Sequence, residues 1–211
     1  MIQDNLRAWG FYDRPRDERA ATDFSLTRFL VPCLMEYAHE WAVFADCDFL
    51  FTRNLVRQLV PLLDERHPVY CVHHNYTPRF DSKMDGHVQH RYERKNWSSF
   101  MVFNCAHEAN RLLTPSVVNA AEPAWLHQMR WCDGYEIGSL PIDFNFLVGE
   151  YTPPEDSFGL MRATPVTPTC LHFTNGIGVY KPPVQDYATL WVKAQQNYLE
   201  DKRRYEMAQR N

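Results

Sequence analysis

A chain of 211 residues with a formal net charge of -4 is long enough to bury a core and fits one domain, or one domain with an added subdomain. The acidic balance gives no broad attraction to polyanions, so we exclude nucleic acid as a partner. The sequence contains neither a signal-peptide pattern nor a transmembrane segment. The six cysteines lack metal-finger spacing and lie mostly in apolar runs, which indicates buried, reduced thiols and a cytoplasmic protein.

The predicted elements alternate between helices and strands, which is typical of an α/β fold. In chain order we predict a short helix or an irregular lead-in at 1–22, a helix at 23–37, a strand at 41–45, a helix at 53–63, a strand at 68–73, a basic loop at 76–96, a strand at 97–104, helices at 106–113, from 115 and at 124–131, an apolar run at 144–148, a proline-rich loop at 150–168, a strand at 169–173 and a C-terminal helix at 184–211. The basic loop is either functional or simply solvated. The last helix carries an apolar stripe and is expected to dock on the domain.

Two aspartates, Asp46 and Asp48, directly follow the predicted strand Trp41–Ala45. Ligands of open α/β sheets collect at the carboxyl ends of strands. Carboxylates chelate hard cations such as Mg²⁺ or Mn²⁺, and such an ion could hold a diphosphate. A turn with a helix cap is the ordinary alternative for two aspartates in this position. Arg28 precedes them in an apolar helix, where it either reaches the surface or needs an anionic partner.

Further residues extend this pattern along the chain. They are Phe24-Ser-Leu-Thr-Arg28-Phe-Leu-Val-Pro32 before the two aspartates, Trp97-Ser98-Ser99 and Phe103-Asn104 in a later strand, Phe144-Asn145, and His172 followed by Gly176 and Gly178. From about Thr22 to Pro182, this ordered series resembles the GT-A fold nucleotide-sugar glycosyltransferases, particularly the family 8-like group. The resemblance implies a single GT-A-like, Rossmann-like α/β domain with a mixed central sheet flanked by helices.

The resemblance also implies roles for particular residues. Asp46, Asp48 and His172 would bind the metal ion, Mn²⁺ or Mg²⁺. The residues implied to contact the donor or the acceptor are Arg28, Ser98, Ser99, Asn104, Asn145, Gly176 and Lys181. Lys83, in the basic loop, is expected to join them when that loop orders over a bound nucleotide sugar. Asp133 and Glu136 are the candidates for a catalytic base, and the choice between them stays open.

A metal-dependent glycosyltransferase is the implied activity. It would move a sugar from a nucleoside diphosphate donor, UDP-linked, to a carbohydrate or other hydroxyl acceptor. Members of this family begin with a strand that holds the nucleotide base, and no apolar strand precedes the Arg28 helix here. We therefore expect a shortened N-terminus, with an exposed sheet edge through which a homodimer could form.

Two other functions are compatible with the same residues. One is a truncated glycosyltransferase fold that binds carbohydrate or a partner without turnover. The other is a haloacid-dehalogenase-like phosphatase, in which Asp46 attacks phosphate and Asp48 acts as acid and base. That family has a small residue soon after the second aspartate and a later acidic pair. Phe49-Leu50 stands at the first place, and Asp64-Glu65 ends a predicted helix.

Overall fold

The structure of the protein is a computed structural model that describes residues 2–15, 25–75, 94, 96–152, 167–176 and 187–209. The fold is α/β, with mixed sheets flanked by helices. Where the sequence predicts one domain, the chain divides into two compact units, and each has its own sheet. None of the helices in these ranges combines the length and the apolar character that crossing a bilayer requires.

The strands of the described residues are β1 (Trp41–Ala45), β2 (Phe49–Phe51), β3 (Val69–Val72), β4 (Phe100–Asn104), β5 (Gly138–Leu140), β6 (Phe146–Leu147) and β7 (Cys170–His172). The α-helices are α1 (Ile2–Ala8), α2 (Val31–Leu34), α3 (Leu55–Leu59), α4 (Pro115–Ala120), α5 (Pro123–His127) and α6 (Ala188–Ala208). Short 3-10 helical turns cover Thr27–Leu30, Val60–Leu62, Trp97–Ser99, Glu108–Leu112, Arg130–Cys132 and Ile142–Phe144.

The first unit contains a four-stranded sheet in the order β1-β4-β3-β5. Strand β4 is antiparallel to both β1 and β3, and β3 is parallel to β5. Strands β1, β3 and β5 therefore point the same way, and their carboxyl ends share one edge with the start of β4. We call this the upper edge of the first sheet. The end of β4 and the residues that precede β5 lie at the opposite, lower edge.

The core of the first unit is formed around β4. Residues Phe100 to Phe103 are all buried, because both faces of this central strand are covered. Phe29 and Leu30, from the turn before α2, are fully buried in the same core. Phe29 makes an edge-to-face contact with Trp131, with ring centroids 5.3 Å apart. This packing holds the segment that carries Arg28 against the sheet.

The second unit contains a three-stranded sheet in the order β2-β7-β6. Strand β7 is antiparallel to β2 and parallel to β6. A small apolar core includes Phe146, Leu171 and Phe173, and the ring of Phe173 lies 5.1 Å from that of Trp191 on α6. The predicted apolar stripe of α6 contacts this core near the start of the helix, at Trp191. Further along the helix, Tyr198 is 64% exposed.

The structure differs from the predicted elements in several places, two of which adjoin Asp46 and Asp48. Residues Trp97–Ser99 form a helical turn rather than the beginning of a strand, and β4 begins only at Phe100. Strand β2 was not predicted, because Phe49–Phe51 is too short to show a period of its own. By contrast, the predicted bounds of β1 agree with the structure.

A substitution at Gly138 tests how closely β5 packs on β3. A Cβ atom at this position would overlap the ring of Tyr70 on the neighbouring strand. That ring cannot easily move, because the backbone N–H of Asp64 donates to its hydroxyl at 2.7 Å. We expect Gly138→Ala to lower the free energy of unfolding by about 1–3 kcal/mol in urea titrations. Ser139→Ala, at the adjacent exposed position, should change it by less than about 0.5 kcal/mol. Equal stabilities of the two variants would contradict this packing.

Candidate functional site

Asp46 lies at the carboxyl end of β1, on the upper edge of the first sheet. Its backbone N–H donates to the carbonyl of Ser99 at 2.9 Å, which continues the pairing of β1 with β4. Its carboxylate forms an ion pair with Arg28, in which Nη2 lies 2.8 Å from Oδ1. The second guanidinium nitrogen, Nη1, donates to Oδ2 at 3.4 Å. This two-pronged contact orients the carboxylate at the edge of the sheet.

Arg28 is a buried cation, with 6% of its side chain exposed. Besides Asp46, its Nη1 donates to the carbonyl of Ser98 at 2.7 Å. The guanidinium carbon lies 4.7 Å from the centre of the Phe44 ring, on the strand that ends at Asp46. The sequence leaves two alternatives for Arg28, a position at the surface or a buried position with an anionic partner. The structure shows the second, with Asp46 as the partner.

A hydrogen-bond network of polar side chains lies beside this ion pair. Asn145 is fully buried, and its Nδ2 donates to the Ser99 hydroxyl at 2.9 Å. Ser99 in turn donates to the carbonyl of Asn96 at 2.7 Å. The hydroxyl of Ser98 is hydrogen bonded to Nδ1 of His127, at the end of α5, at 2.9 Å. Three predicted site residues, Ser98, Ser99 and Asn145, therefore lie on the same sheet edge as Asp46 and Arg28.

Asp48 and His172 face each other within the second unit. Phe49 pairs with His172 in the sheet, so Asp48 lies just beyond the carboxyl end of β7. His172 Nε2 is 3.4 Å from Asp48 Oδ1, and the imidazole is almost completely buried. The ring of Phe49 stacks on the imidazole with centroids 4.4 Å apart. In addition, the backbone carbonyl of Asp48 accepts from the N–H of Phe173 at 3.0 Å. Both residues of the pair are thus held in position.

A second carboxylate in this unit is that of Glu150, a buried residue that follows β6. It accepts a hydrogen bond from Asn175 Nδ2 at 2.9 Å. Because β6 and β7 are parallel, these two residues lie at the same sheet edge as His172. Partial burial and the charge of Glu150 raise the pKa of Tyr151 to about 12. Gly176, a predicted ligand-contact residue, lies in the turn after β7 with a φ of 93°, a conformation that suits glycine.

The chain is similar to Protein CDI of Arabidopsis thaliana. The two are 39% identical over 207 residues, which cover 97% of this chain and 76% of that protein. The chain belongs to the Protein CDI family. No protein-family model matches the chain, and no solved structure matches it. Because the similarity covers nearly the whole chain, it includes both compact units of the chain.

Three predicted residues lie at the lower edge of the first sheet. Asn104 ends β4, where its Nδ2 donates to the carbonyl of Glu65 at 3.0 Å and its own carbonyl accepts from Asn110 at 2.7 Å. Asp133 and Glu136 are exposed and precede β5, and the carbonyl of Glu136 is 2.8 Å from Nδ1 of His67. Their positions remove these three from the group around Asp46. Two more predicted residues, Lys83 and Lys181, fall outside the described residues.

Two polar residues of these clusters were not predicted from the sequence. His127 is bound to Ser98, and Glu150 is bound to Asn175. His127 ends a short apolar helix and carries no spacing signal, so its sequence context does not reveal its partner. Glu150 is preceded by Gly149, whose positive φ of 84° marks a tight turn after β6. In the sequence next to Glu150, this glycine is the local sign of that turn.

All six cysteines are free thiols. Burial raises the pKa of Cys132 to about 12 and that of Cys105 to about 11, so both resist ionisation near neutral pH. Cys47 is exposed and stands between Asp46 and Asp48 in the chain. The prediction of buried thiols therefore does not extend to Cys47.

Proposed function

We propose that this protein is a metal-dependent glycosyltransferase of the GT-A fold that moves a sugar from a nucleoside diphosphate donor to a hydroxyl acceptor. The observation that carries the proposal is the pairing of Asp48 with the buried His172. Asp48 follows Asp46 by two residues in the chain, and Arg28 orients the carboxylate of Asp46. A UDP-linked donor and a carbohydrate acceptor are the substrates expected from the resemblance. The free thiols support a cytoplasmic location as part of the same proposal.

The donor atoms suit a hard or borderline divalent cation. Among the residues with described positions, the side chains that could hold a metal ion are those of Asp46, Asp48 and His172. Two carboxylates and one imidazole fit Mn²⁺ at least as well as Mg²⁺. Asp46 and Asp48 are separated by one residue, so their Cα atoms are at most about 7 Å apart and both carboxylates can reach one ion. A bound divalent ion supplies positive charge that stabilises a departing diphosphate.

The chain's own residues would orient the donor. Arg28 compensates the charge of Asp46 and fixes the direction of that carboxylate. Asn145 and Ser99 form a buried amide and hydroxyl pair at the same edge, which can exchange hydrogen bonds with sugar hydroxyls. His127 holds the hydroxyl of Ser98 in a defined direction. Such preorganised polar groups contribute to catalysis because they need not rearrange during the reaction.

A phosphatase has less support from the arrangement of acidic residues. Its chemistry needs a further acidic pair beside the first aspartate. Asp64, the candidate in the sequence, precedes β3 and binds Arg66 through a 2.8 Å contact at the protein surface. It thus lies on the lower-edge side of the first sheet. In addition, the carboxylate of Asp46 is already engaged by Arg28, which would weaken it as a nucleophile.

Turnover assays separate the three functions. We expect the chelator-treated protein to release nucleoside diphosphate from a UDP-sugar only after Mn²⁺ or Mg²⁺ is restored, and to do so faster with a carbohydrate acceptor. Asp64→Ala, which alters a carboxylate of the surface pair, should keep the full rate and serves as the control. Hydrolysis of simple phosphate esters would instead identify a phosphatase. Binding of nucleotide sugars without turnover, across UDP-, GDP- and ADP-linked donors, would overturn the proposed transfer activity.

A further inference from the structure

Trp97 forms a rigid aromatic surface near the upper edge of the first sheet. It begins the turn that leads into β4, two residues before Ser99, whose carbonyl accepts the backbone N–H of Asp46. Its indole Nε1 donates to the carbonyl of His74 at 3.2 Å. This hydrogen bond connects the turn to the carboxyl end of β3 and fixes the plane of the indole.

The imidazole of His73 lies flat on this indole. The two rings are 4.1 Å apart between centroids and parallel to within 1°. His73 is an exposed residue although one face of its ring is covered by Trp97. Partial burial and the nearby charge of Arg94 lower the pKa of His73, so the ring is neutral at neutral pH. The pair therefore presents an uncharged, flat aromatic face.

Arg94 supplies a cation over the Trp97 ring. Its guanidinium carbon is 5.4 Å from the centre of the Trp97 ring, and Nη1 donates to the backbone carbonyl of Gln128. A guanidinium held by a neutral carbonyl keeps its charge for an anion. Its planar fork is also well suited to the oxygens of a phosphate.

We propose that His73, Trp97 and Arg94 form a nucleotide-binding subsite, in which the base stacks on His73 and Arg94 pairs with a phosphate. The subsite rests on the proposed function, because it names where that function's nucleotide is held. A flat aromatic face beside a fixed guanidinium matches a ligand that is itself a flat ring joined to an anion. Bases stack on aromatic side chains in proteins that bind single-stranded nucleic acid, and the same contact is available to a free nucleotide.

The subsite is close in the chain to the ion pair of Asp46. The turn that begins at Trp97 also contributes the carbonyl of Ser98 to Arg28 and that of Ser99 to Asp46. A nucleotide stacked on His73 would thus lie at the same sheet edge as Asp46 and Arg28. The stack also uses a strand end, where ligands of α/β sheets are usually found.

Nuclear magnetic resonance of the histidine side chains tests the subsite directly. Titration with UMP, AMP and GMP in the absence of divalent metal should shift the ring signals of His73, identified by their loss in His73→Ala. We expect His73→Ala to weaken binding of the best of these nucleotides about tenfold. His39→Ala, which removes another exposed imidazole, should leave the affinity unchanged. Equal affinity in the two variants, or no binding of any of the three, would overturn the proposal.

The role of Arg94 has its own comparison. Arg94→Gln should weaken UMP binding about tenfold but leave uridine binding unchanged, because uridine has no phosphate. If ribose 5-phosphate shifted the His73 signals as strongly as UMP, the site would be an anion site without base stacking, and the proposal would be wrong. Asp48→Ala should retain UMP binding. If UMP binding depended on His73 but the protein transferred no sugar, the proposed glycosyltransferase activity would be wrong and the nucleotide subsite would stand.

Discussion

Replacing Arg28 with alanine should lower the free energy of unfolding by about 3–5 kcal/mol, as measured by urea titration. Arg28 is buried, and its removal leaves the carboxylate of Asp46 and the carbonyl of Ser98 without their cationic partner. Breaking a buried ion pair by deleting one partner costs this much, since the remaining charge is not compensated. The double variant Arg28→Ala with Asp46→Ala should recover part of the loss because it removes that charge.

A matched control is available in the same unit. Arg66 forms an ion pair with Asp64 at the same 2.8 Å separation, but its side chain is 83% exposed. Exposed pairs contribute less than about 1 kcal/mol, because water screens both charges. Arg66→Ala should therefore change the stability by less than about 1 kcal/mol. If Arg28→Ala and Arg66→Ala had equal effects, the buried pair would not hold the upper edge of the sheet.

The local pattern of the sequence was sufficient for part of the site. The apolar run Trp41–Ala45 predicts a buried strand, and β1 has the predicted bounds. The strand is only partly buried, because it lies at the edge of the sheet and Val43 is exposed. Arg28 was expected to need an anionic partner if buried, and the structure pairs it with Asp46. Both inferences depend on local chemistry, in one case a run of neighbours and in the other the cost of burying a cation.

Strand direction was the information that the local pattern lacked. Ser98, Ser99 and Asn104 were expected at one binding site because they flank the same predicted strand. They lie at its two ends, and β4 spans about 17 Å over its five residues. Only the antiparallel pairing with β1 shows which end meets Asp46. The same reasoning applies to Asp133 and Glu136, which precede a strand parallel to β3 and so lie at the lower edge.

The hydrogen-bond partners of these site residues could not be derived from the sequence either. Asn145 was chosen through the resemblance, and its hydrogen bond to Ser99 joins residues 46 positions apart. His127 and Glu150 bind across comparable or shorter separations, and nothing in their immediate neighbours indicates the partner. Long-range hydrogen bonds are products of topology. A sequence that predicts the elements without their directions cannot specify them.

Replacing Asp48 with asparagine should abolish measurable Mn²⁺ binding, with a loss of affinity of at least about 100-fold in calorimetry. Loss of a residue that only supports a metal ligand costs about 10–100-fold, and a ligand itself should cost more. The substitution preserves size and leaves the backbone contact with Phe173 intact, so the fold should persist. Sugar transfer should fall by about 100-fold or more, because stabilisation of the departing diphosphate would be lost.

Thermal unfolding gives a readout of the same site that does not depend on activity. Saturating Mn²⁺ should raise the midpoint of the natural protein, since a ligand that binds only the folded state stabilises it, and should leave Asp48→Asn unchanged. His172→Gln should behave like Asp48→Asn, because its imidazole faces the same carboxylate oxygen at 3.4 Å. Asp201→Asn, which removes an exposed carboxylate on α6, should keep the full response. A metal-induced shift of equal size in Asp48→Asn and Asp201→Asn would show that the ion binds elsewhere.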